Sequence, residues 1–407
     1  MKKKILLILD SFPSVANPAI GSFYMEQANA LKDFFELRII VLEARERMVF
    51  IYLTEKKHET SLDVMDLSAG IPILRMRFNS IRQNRITDQF LNLKKKLIYH
   101  NFKIGCIAIE AAYLTFCQSD FVPDLIIAQT AQYMAPFTVF LGSKYNKPVV
   151  GYEHYPPLAQ MTTVWEINDL TRPIIINALN KLNRLLAVSQ YLSNVLYLNG
   201  VKIRIFNIGN LVNENHFKIK QRTTSDFFYI TYIGYMNNLK DPITMLECIR
   251  EIKKKNIKNI RFRLINGVND FQPIVNEYQV QDMVDILTHV SRNEIIKFIT
   301  EQTDVLVSTS VSETFGLAMA EALLSGVPVI ATCSGGNMEF LNESNSIIIE
   351  NKNIQKLVEA ILAIKNRDVV FDRQLLRESV INKYGVSPFT YRFVKHINEV
   401  IENYMVN

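Results

Sequence analysis

Short apolar runs without polar alternation recur along the chain, each followed by a turn and a stretch with helical spacing. In the first half they fall at Ile5 to Leu9, Leu37 to Leu42, Asp124 to Ala128, Pro148 to Tyr152, Leu185 to Ser189 and Ile205 to Ile208. In the second half they fall at Tyr229 to Gly234, Phe262 to Ile265, Asp285 to Val290, Val305 to Val307, Val327 to Thr332 and Ile347 to Ile349. A run that is apolar on both faces is what a parallel strand covered by helices on both sides requires. Between the runs, Phe23 to Phe34 and Ala131 to Tyr145 carry helical spacing, a helix begins at about Asp241, and Ser291 to Thr300 is helical with a serine cap. Ser387 and Pro388 are the cap and first position expected of a last helix, Phe389 to Tyr404. Strand and helix alternate throughout, so the fold class is α/β with parallel sheets.

The densest pattern is the unit from Asp304 to Gly336. After the strand, Ser308 to Thr314 are almost all small or hydroxylic with Glu313 the only charge, which predicts a turn with Ser312 or Thr314 as N-cap. The helix is expected over Phe315 to Leu324 and is stopped by Gly326 and Pro328. A second strand and the loop Ser334, Gly335, Gly336 complete a right-handed βαβ unit, and such sheets hold ligands outside the carboxyl ends of their strands. Two features lie at that edge. One is the helix start, where open amides and the macrodipole favour an anion, with Gly316 permitting close approach. The other is the double-glycine loop, a second set of backbone amides. Glu313 taken alone is also what an acid complementing the helix dipole looks like. Glu321, set among Leu317, Ala318, Met319, Ala320 and Ala322, requires a partner.

Length and charge bound this picture. A chain of 407 residues, 48% hydrophobic, suits two domains of about 200 residues, each with its own core. The net charge of +6, from 46 basic and 40 acidic residues, gives no general affinity for polyanions. The local exception is Arg75 to Lys103, where Arg75, Arg77, Arg82, Arg85, Lys94, Lys95, Lys96 and Lys103 face Asp88 alone, with Phe78, Phe90, Tyr99 and Phe102 interleaved. Such a stretch suits an anionic membrane surface or a lipid pyrophosphate, and it is also the composition of a solvated helix face. Nucleic acid is disfavoured as a partner, because no recognised binding motif accompanies the charge. Cys106, Cys117, Cys248 and Cys333 form neither zinc-site pairs nor a disulfide framework, which points to a reducing cytoplasm. The apolar run after Met1 to Lys4 is ended by Asp10, and Ile104 to Cys117 contains Glu110, so neither a secretion signal nor a spanning helix is expected.

The first strand opens into a loop with Pro13, Pro18 and Gly21, without a G-x-G-x-x-G, which argues against nicotinamide binding. His154 ends another strand just before Pro156 and Pro157, where ligand chemistry occurs in parallel sheets; a capping or solvent-facing histidine is the other reading of the same position.

The string Ser312, Glu313, Thr314, Phe315, Gly316, then Glu321, Ala322, Gly326, Pro328, Val329 and the Gly335, Gly336, Glu339 loop resembles the Glu-x7-Glu signature of retaining glycosyltransferases of the GT-B fold, family 4 in particular. Ala187, Val188 and Ser189 resemble a further family pattern, as do Asn210 and Val212, although Leu211 and Asn213 replace the family's glycine and aspartate. The resemblance implies two Rossmann-like domains facing across a cleft and a C-terminal helix crossing back to the first. With the hydrophilic run from Lys218 to Asp226 as linker, the expected boundaries are 1–217, 218–386 and 387–407.

The activity it implies is retaining transfer of a hexosyl group from a UDP- or GDP-sugar donor to a glycan or lipid-linked acceptor hydroxyl, in bacterial cell-surface polysaccharide synthesis. The setting would be cytoplasmic and peripheral to the plasma membrane. His154 and Glu313 are the implied catalytic residues, and Gly21, Lys240, Glu313, Thr314, Phe315, Gly316, Leu317 and Glu321 the implied donor-binding ones. Glu321 would take the ribose hydroxyls. No Asp-x-Asp is present, so no metal and no cofactor beyond the donor is expected. Lys240 matches a family cation, but Tyr235 stands for the arginine that accompanies it and Asp241 for a glycine. One cation fewer on two phosphates costs about 1.5 to 3 kcal/mol unless Lys202, Arg204 or Arg292 compensates. A catalytically impaired sugar-nucleotide-binding or partner-binding subunit is therefore the alternative reading.

Overall fold

The computed structural model describes residues 2–13, 21–47, 63–65, 70–81, 91–155, 170–219, 225–266 and 271–406. Pro18, Arg82, Arg85, Asp88, Phe90, Pro156, Pro157 and 220–224 of the linker lie outside them. Two compact units are present. One comprises segments 1–13, 23–208 and 390–407, and the other 14–22 and 209–389.

In the first unit, strands and helices follow as β1 (Lys3–Leu9), α1 (Ser22–Leu31), β2 (Phe35–Arg47), β3 (Asp63–Met65), β4 (Ile73–Ile81), α2 (Leu91–Phe116), β5 (Leu125–Gln129), α3 (Ala131–Tyr145), β6 (Val149–Glu153), α4 (Arg172–Leu179), β7 (Arg184–Ala187), α5 (Gln190–Leu198) and β8 (Ile205–Asn207). Their sheet has the order β3-β4-β2-β1-β5-β6-β7-β8. The β3–β4 pair is antiparallel and the other pairs are parallel. Ile5 to Leu9 are at most 3% exposed, which is why this central strand shows no alternation.

The second unit runs β9 (Phe228–Ile233), α6 (Pro242–Lys254), β10 (Ile260–Asn266), α7 (Gln272–Glu277), β11 (Val284–Thr288), α8 (Arg292–Gln302), β12 (Val305–Ser308), α9 (Leu317–Leu324), β13 (Val329–Thr332), β14 (Ser346–Ile349), α10 (Ile354–Asn366), α11 (Arg373–Tyr384) and α12 (Val386–Val406). Its sheet is wholly parallel in the order β11-β10-β9-β12-β13-β14. Both units are thus Rossmann-like.

Contacts divide the chain at 208/209, where the hydrophilic run suggested 217/218. Residues 209–217 are tied into the second unit by backbone groups: Val212 N donates to the Tyr384 carbonyl (2.9 Å), and Arg377 donates to the carbonyls of Phe217 (2.6 Å) and Glu214 (2.9 Å). The last helix starts at Val386, so Ser387 lies inside it. From Thr390 onward it belongs to the first unit, where Phe393 packs on Tyr152 (5.8 Å) and Arg184 pairs with Glu399 (2.6 Å). Tyr391 is 70% exposed and takes no part in this packing.

The basic stretch does not form one surface. Arg75 and Arg77 lie on β4, beside β2, with Glu43 opposite Arg77 in the parallel register. Arg75 is buried and bonds Glu43 (3.2 Å) and the Phe12 carbonyl (3.2 Å), and Arg77 bonds Glu43 at 2.6 Å. Phe102 stacks on Phe137.

Candidate functional site

The turn between β12 and α9 is held from several sides. Val311 N donates to the Leu239 carbonyl (2.8 Å), Thr309 Oγ1 to the Asp241 carbonyl (2.7 Å), and Thr332 Oγ1 to the Ser310 carbonyl (2.5 Å). Glu313 is fixed through its own backbone, its N–H donating to the Ser334 carbonyl (2.7 Å) and its carbonyl accepting from Gly336 N–H (2.8 Å), as a parallel bridge to Gly335. Its carboxylate then receives Lys240 Nζ at 2.5 Å and Ser310 Oγ at 2.8 Å. This pair stands at the carboxyl edge of the sheet, with the two side chains 27% (Lys240) and 12% (Glu313) exposed.

Lys240 is presented by a tight turn. Its carbonyl accepts from Tyr232 OH (3.0 Å) and its N–H donates to Asn237 Oδ1 (3.0 Å). Asp241 follows with φ +43, in the left-handed region where the resembling family has glycine, and it caps α6 by accepting from Thr244 N–H (3.4 Å), while Thr244 Oγ1 donates to its other oxygen (2.6 Å). Aspartate visits this region more readily than most residues because its short side chain bonds locally. The departure from glycine is therefore accommodated by the backbone.

The helix start differs from expectation. Gly316, at φ +93, occupies the N-cap position of α9, and no side chain caps it; neither Ser312 nor Thr314 does so. The amides of Met319 and Ala320 bond back to the Gly316 carbonyl, so those of Leu317 and Ala318 open the helix without a carbonyl one turn before them. Ser334 Oγ is buried with no hydrogen-bond partner among the described residues. The Phe315 side chain is 2% exposed and packs on Phe340 (5.2 Å) and Tyr384 (4.9 Å), so it serves the core and offers a ligand only its backbone.

Glu321 has the partner its apolar helix demands. Arg292, the first residue of α8, forms two hydrogen bonds with its carboxylate, Nη1 to Oε2 at 3.0 Å and Nη2 to Oε1. The guanidinium also lies over the Phe217 ring at 5.3 Å. Arg292 is thus engaged by Glu321, while Lys202 and Arg204, the other cations considered for the missing arginine, belong to the first unit, where Arg204 covers Phe206. Sequence reasoning found both residues but not that they pair, because a contact across 29 positions leaves no periodic trace. Among the described residues no cluster of His, Cys, Asp and Glu is arranged to hold a metal.

Gly21, with φ +70, precedes α1 and is grouped with the second unit, whereas His154 follows β6 in the first. His154 Nε2 lies 2.8 Å from Gln129 Oε1, and its ring is surrounded by Tyr152, Phe23 and Tyr24. Burial pushes its pKa down from 6.5 to about 3, so the ring is neutral. Burial pushes the neighbouring Glu153 up from 4.5 to about 7, against backbone hydrogen bonds from Gln132, Tyr155 and His154 that favour its charged form. These shifts have opposite effects on stability. Below pH 6.5 an unfolded histidine gains a proton that folded His154 refuses, so its contribution to stability is lost on acidification down to about 3. Folded Glu153 takes up its proton near 7 and the unfolded acid near 4.5, so its contribution rises as pH falls through that window. The pair should therefore leave stability flat between pH 4.5 and 6.5. Glu153→Gln should expose a loss of about 1.4 kcal/mol per pH unit on acidification below 6.5. His154→Gln should expose a gain of similar slope between 7 and 4.5, to which Asp10, raised by burial, adds at the acid end. Urea unfolding across pH checks both slopes; parallel profiles for the two variants would refute the assignment.

Residues 213–382 match the family described as glycosyl transferases group 1. Over 102 residues, 24% of this chain and 21% of the relative, the chain is 33% identical to poly(ribitol-phosphate) alpha-N-acetylglucosaminyltransferase of Staphylococcus aureus (strain COL). The matched stretches span between 21% and 50% of the lengths of the first curated relatives. The structure is similar to sucrose-phosphate synthase from Thermosynechococcus elongatus, with a TM-score of 0.69, 14% identity, and 99% of this chain and 100% of that one covered. It is also similar to Anabaena HepE solved with UDP and glucose, with a TM-score of 0.66, 16% identity, and 98% and 100% covered. These likenesses show the fold, which is that of GT-B glycosyltransferases.

Proposed function

We propose that the chain is a retaining glycosyltransferase that moves a sugar from a nucleotide-diphosphate donor, a UDP- or GDP-sugar, to a glycan or lipid-linked acceptor hydroxyl. The observation that carries this reading is the clamp on Glu313, which brings one lysine, the open amides of α9 and the double-glycine loop to a single strand edge. Each of these groups suits a diphosphate or a sugar hydroxyl. Amides at a helix start and a lysine stabilise the charge left on a departing phosphate, and they need no reorganisation to do so. Glu313 accepts hydrogen bonds from donor-sugar hydroxyls, and the buried Ser334 hydroxyl gains a partner when a ligand arrives. Glu321, its carboxylate held in place by Arg292, is the residue assigned to the ribose hydroxyls on the resemblance. On the resemblance, Gly21 and His154 contribute to the same reaction, with the leaving phosphate helping to take the acceptor proton. The relative from Staphylococcus aureus, named for N-acetylglucosaminyl transfer to poly(ribitol phosphate), supports a polymeric acceptor.

The test is incubation of the purified protein with a panel of UDP- and GDP-sugars, reading released nucleotide and the anomeric configuration of any product. Slow donor hydrolysis with one or a few donors is expected. Binding without any turnover would instead favour the impaired subunit, which Tyr235 keeps in view. Lys240→Ala should weaken donor affinity roughly tenfold to a hundredfold, the size of one charged hydrogen bond. Unchanged affinity by calorimetry would remove Lys240 from the site.

A further inference from the structure

We propose that Gln129 is the positioning residue of His154, fixing both the direction of its ring and the nitrogen that carries its proton. Two buried amides act in series. Gln129 ends β5 and Gln27 lies on α1, and both side chains are enclosed in the first unit. Gln129 Nε2 donates to Gln27 Oε1 (3.4 Å), which turns Gln129 Oε1 toward His154, 2.8 Å from its Nε2. An amide oxygen only accepts, so the ring nitrogen that faces it carries the hydrogen and donates. The lone pair of the neutral ring is then on Nδ1.

The remaining contacts hold the ring in place without telling its two edges apart. Glu153 accepts from the backbone N–H groups of His154 and Tyr155 (2.9 Å each) and of Gln132 at the start of α3 (2.6 Å), which fastens the turn that carries the ring. Tyr152, Phe23 and Tyr24 surround the ring, with centroids 4.1, 5.2 and 5.3 Å away. Aromatic neighbours accept a ring nitrogen or a ring carbon at similar cost, but the hydrogen bond does not. Turning the ring over would set a C–H against Gln129 Oε1 and leave a buried acceptor unsatisfied. Burial holds the ring neutral, its pKa pushed down from 6.5 to about 3, so one proton has to be placed and the Gln129 contact places it. The proposal rests on the reading in which His154 takes part in sugar transfer. A ring held this way accepts a hydrogen bond through Nδ1 and donates none there, so the substrate group it suits is a hydroxyl rather than a phosphate or carbonyl oxygen.

The test is nitrogen-15 NMR of the histidine side chains in the full chain, with His154→Gln to assign the signal, alongside steady-state kinetics with the UDP- or GDP-sugar that is turned over. The wild type is expected to show a protonated Nε2 and an unprotonated Nδ1 at neutral pH. Gln129→Leu should spread the proton over both nitrogens and lower kcat about two- to tenfold, the size of one neutral hydrogen bond, with KM for the donor little changed. Gln129→Glu keeps an accepting oxygen in the same place and should keep the proton on Nε2 and restore most of kcat. A proton on Nδ1 in the wild type overturns the proposal, and so does a Gln129→Leu variant with the wild-type nitrogen spectrum. If Gln129→Leu does not fold, the spectra of the wild type and Gln129→Glu decide. If no donor is turned over, the transferase reading fails, and the same spectra still establish or overturn the placing of the proton by Gln129.

Discussion

Glu321→Ala is expected to destabilise the second unit by about 3 to 5 kcal/mol, the cost of removing one partner of a buried ion pair. The carboxylate side chain is 4% exposed and the Arg292 guanidinium 18%, so the charge left behind has little access to water. Its ring neighbour Phe217 offers attraction but no hydrogen-bond acceptor. Glu321→Gln keeps the shape and one acceptor, yet it too leaves the guanidinium without its counter-charge and should lose a large part of the same energy. A design that separates pairing from packing is the double variant Glu321→Met with Arg292→Met, which removes both charges and keeps the volume. It should recover most of the loss, because replacing a whole buried pair by apolar groups is often neutral. Urea unfolding of the three proteins provides the comparison. A loss below about 1 kcal/mol for Glu321→Ala would mean that the pair behaves as an exposed one.

Gly336→Ala should be the most damaging change in the double-glycine loop. The added Cβ would stand 1.9 Å from the Thr314 oxygen and 2.3 Å from its carbonyl carbon, and both are backbone atoms that cannot rotate away. The loop must move, and the hydrogen bond from Gly336 N–H to the Glu313 carbonyl moves with it. We expect a stability loss of about 1 to 3 kcal/mol or more, as for other overpacked interiors. Donor affinity should fall beyond what the unfolded fraction explains, since the Glu313 backbone is positioned through this contact. Gly70→Ala is the control: its Cβ meets nothing within 4 Å, so only the strain of φ +75 remains. If both variants bind donor as wild type does, the clamp on Glu313 is not part of the site.

Local chemistry explains what could be read without coordinates. Ala131 to Tyr145 is helical over the expected residues despite Pro136, because the apolar face and the turn at Asn146 define it locally. Ser291 forms the expected cap, with Glu294 completing a capping box. Gly326 stops α9 in the left-handed conformation that its identity allows. The start of α9 departs from its local signals for the opposite reason. Ser312 and Thr314 have cap-like side chains, but the backbone there is committed to Ser334 and Gly336, so the helix opens at Gly316 instead. Within the basic stretch, Arg75 and Arg77 are neutralised by an acid the local sequence does not show, since Glu43 arrives from a neighbouring strand.

Continuous apolar runs, caps and turn glycines, each an interaction within a few residues, determined from sequence alone that this chain is an α/β protein with parallel sheets and where most of its elements lie. Motif spacing marked Glu313, Gly316 and Glu321 as the unusual positions. Only the tertiary structure decided that Lys240 meets Glu313 across 73 positions and Arg292 meets Glu321 across 29. It also decided that residues 209–217 belong with the second unit and that Lys95, Lys96 and Lys103 of α2 face solvent. The physical reason is common to all of these: ion pairing and burial act through space, and a charge's partner is set by strand register and helix packing rather than by its neighbours in the chain.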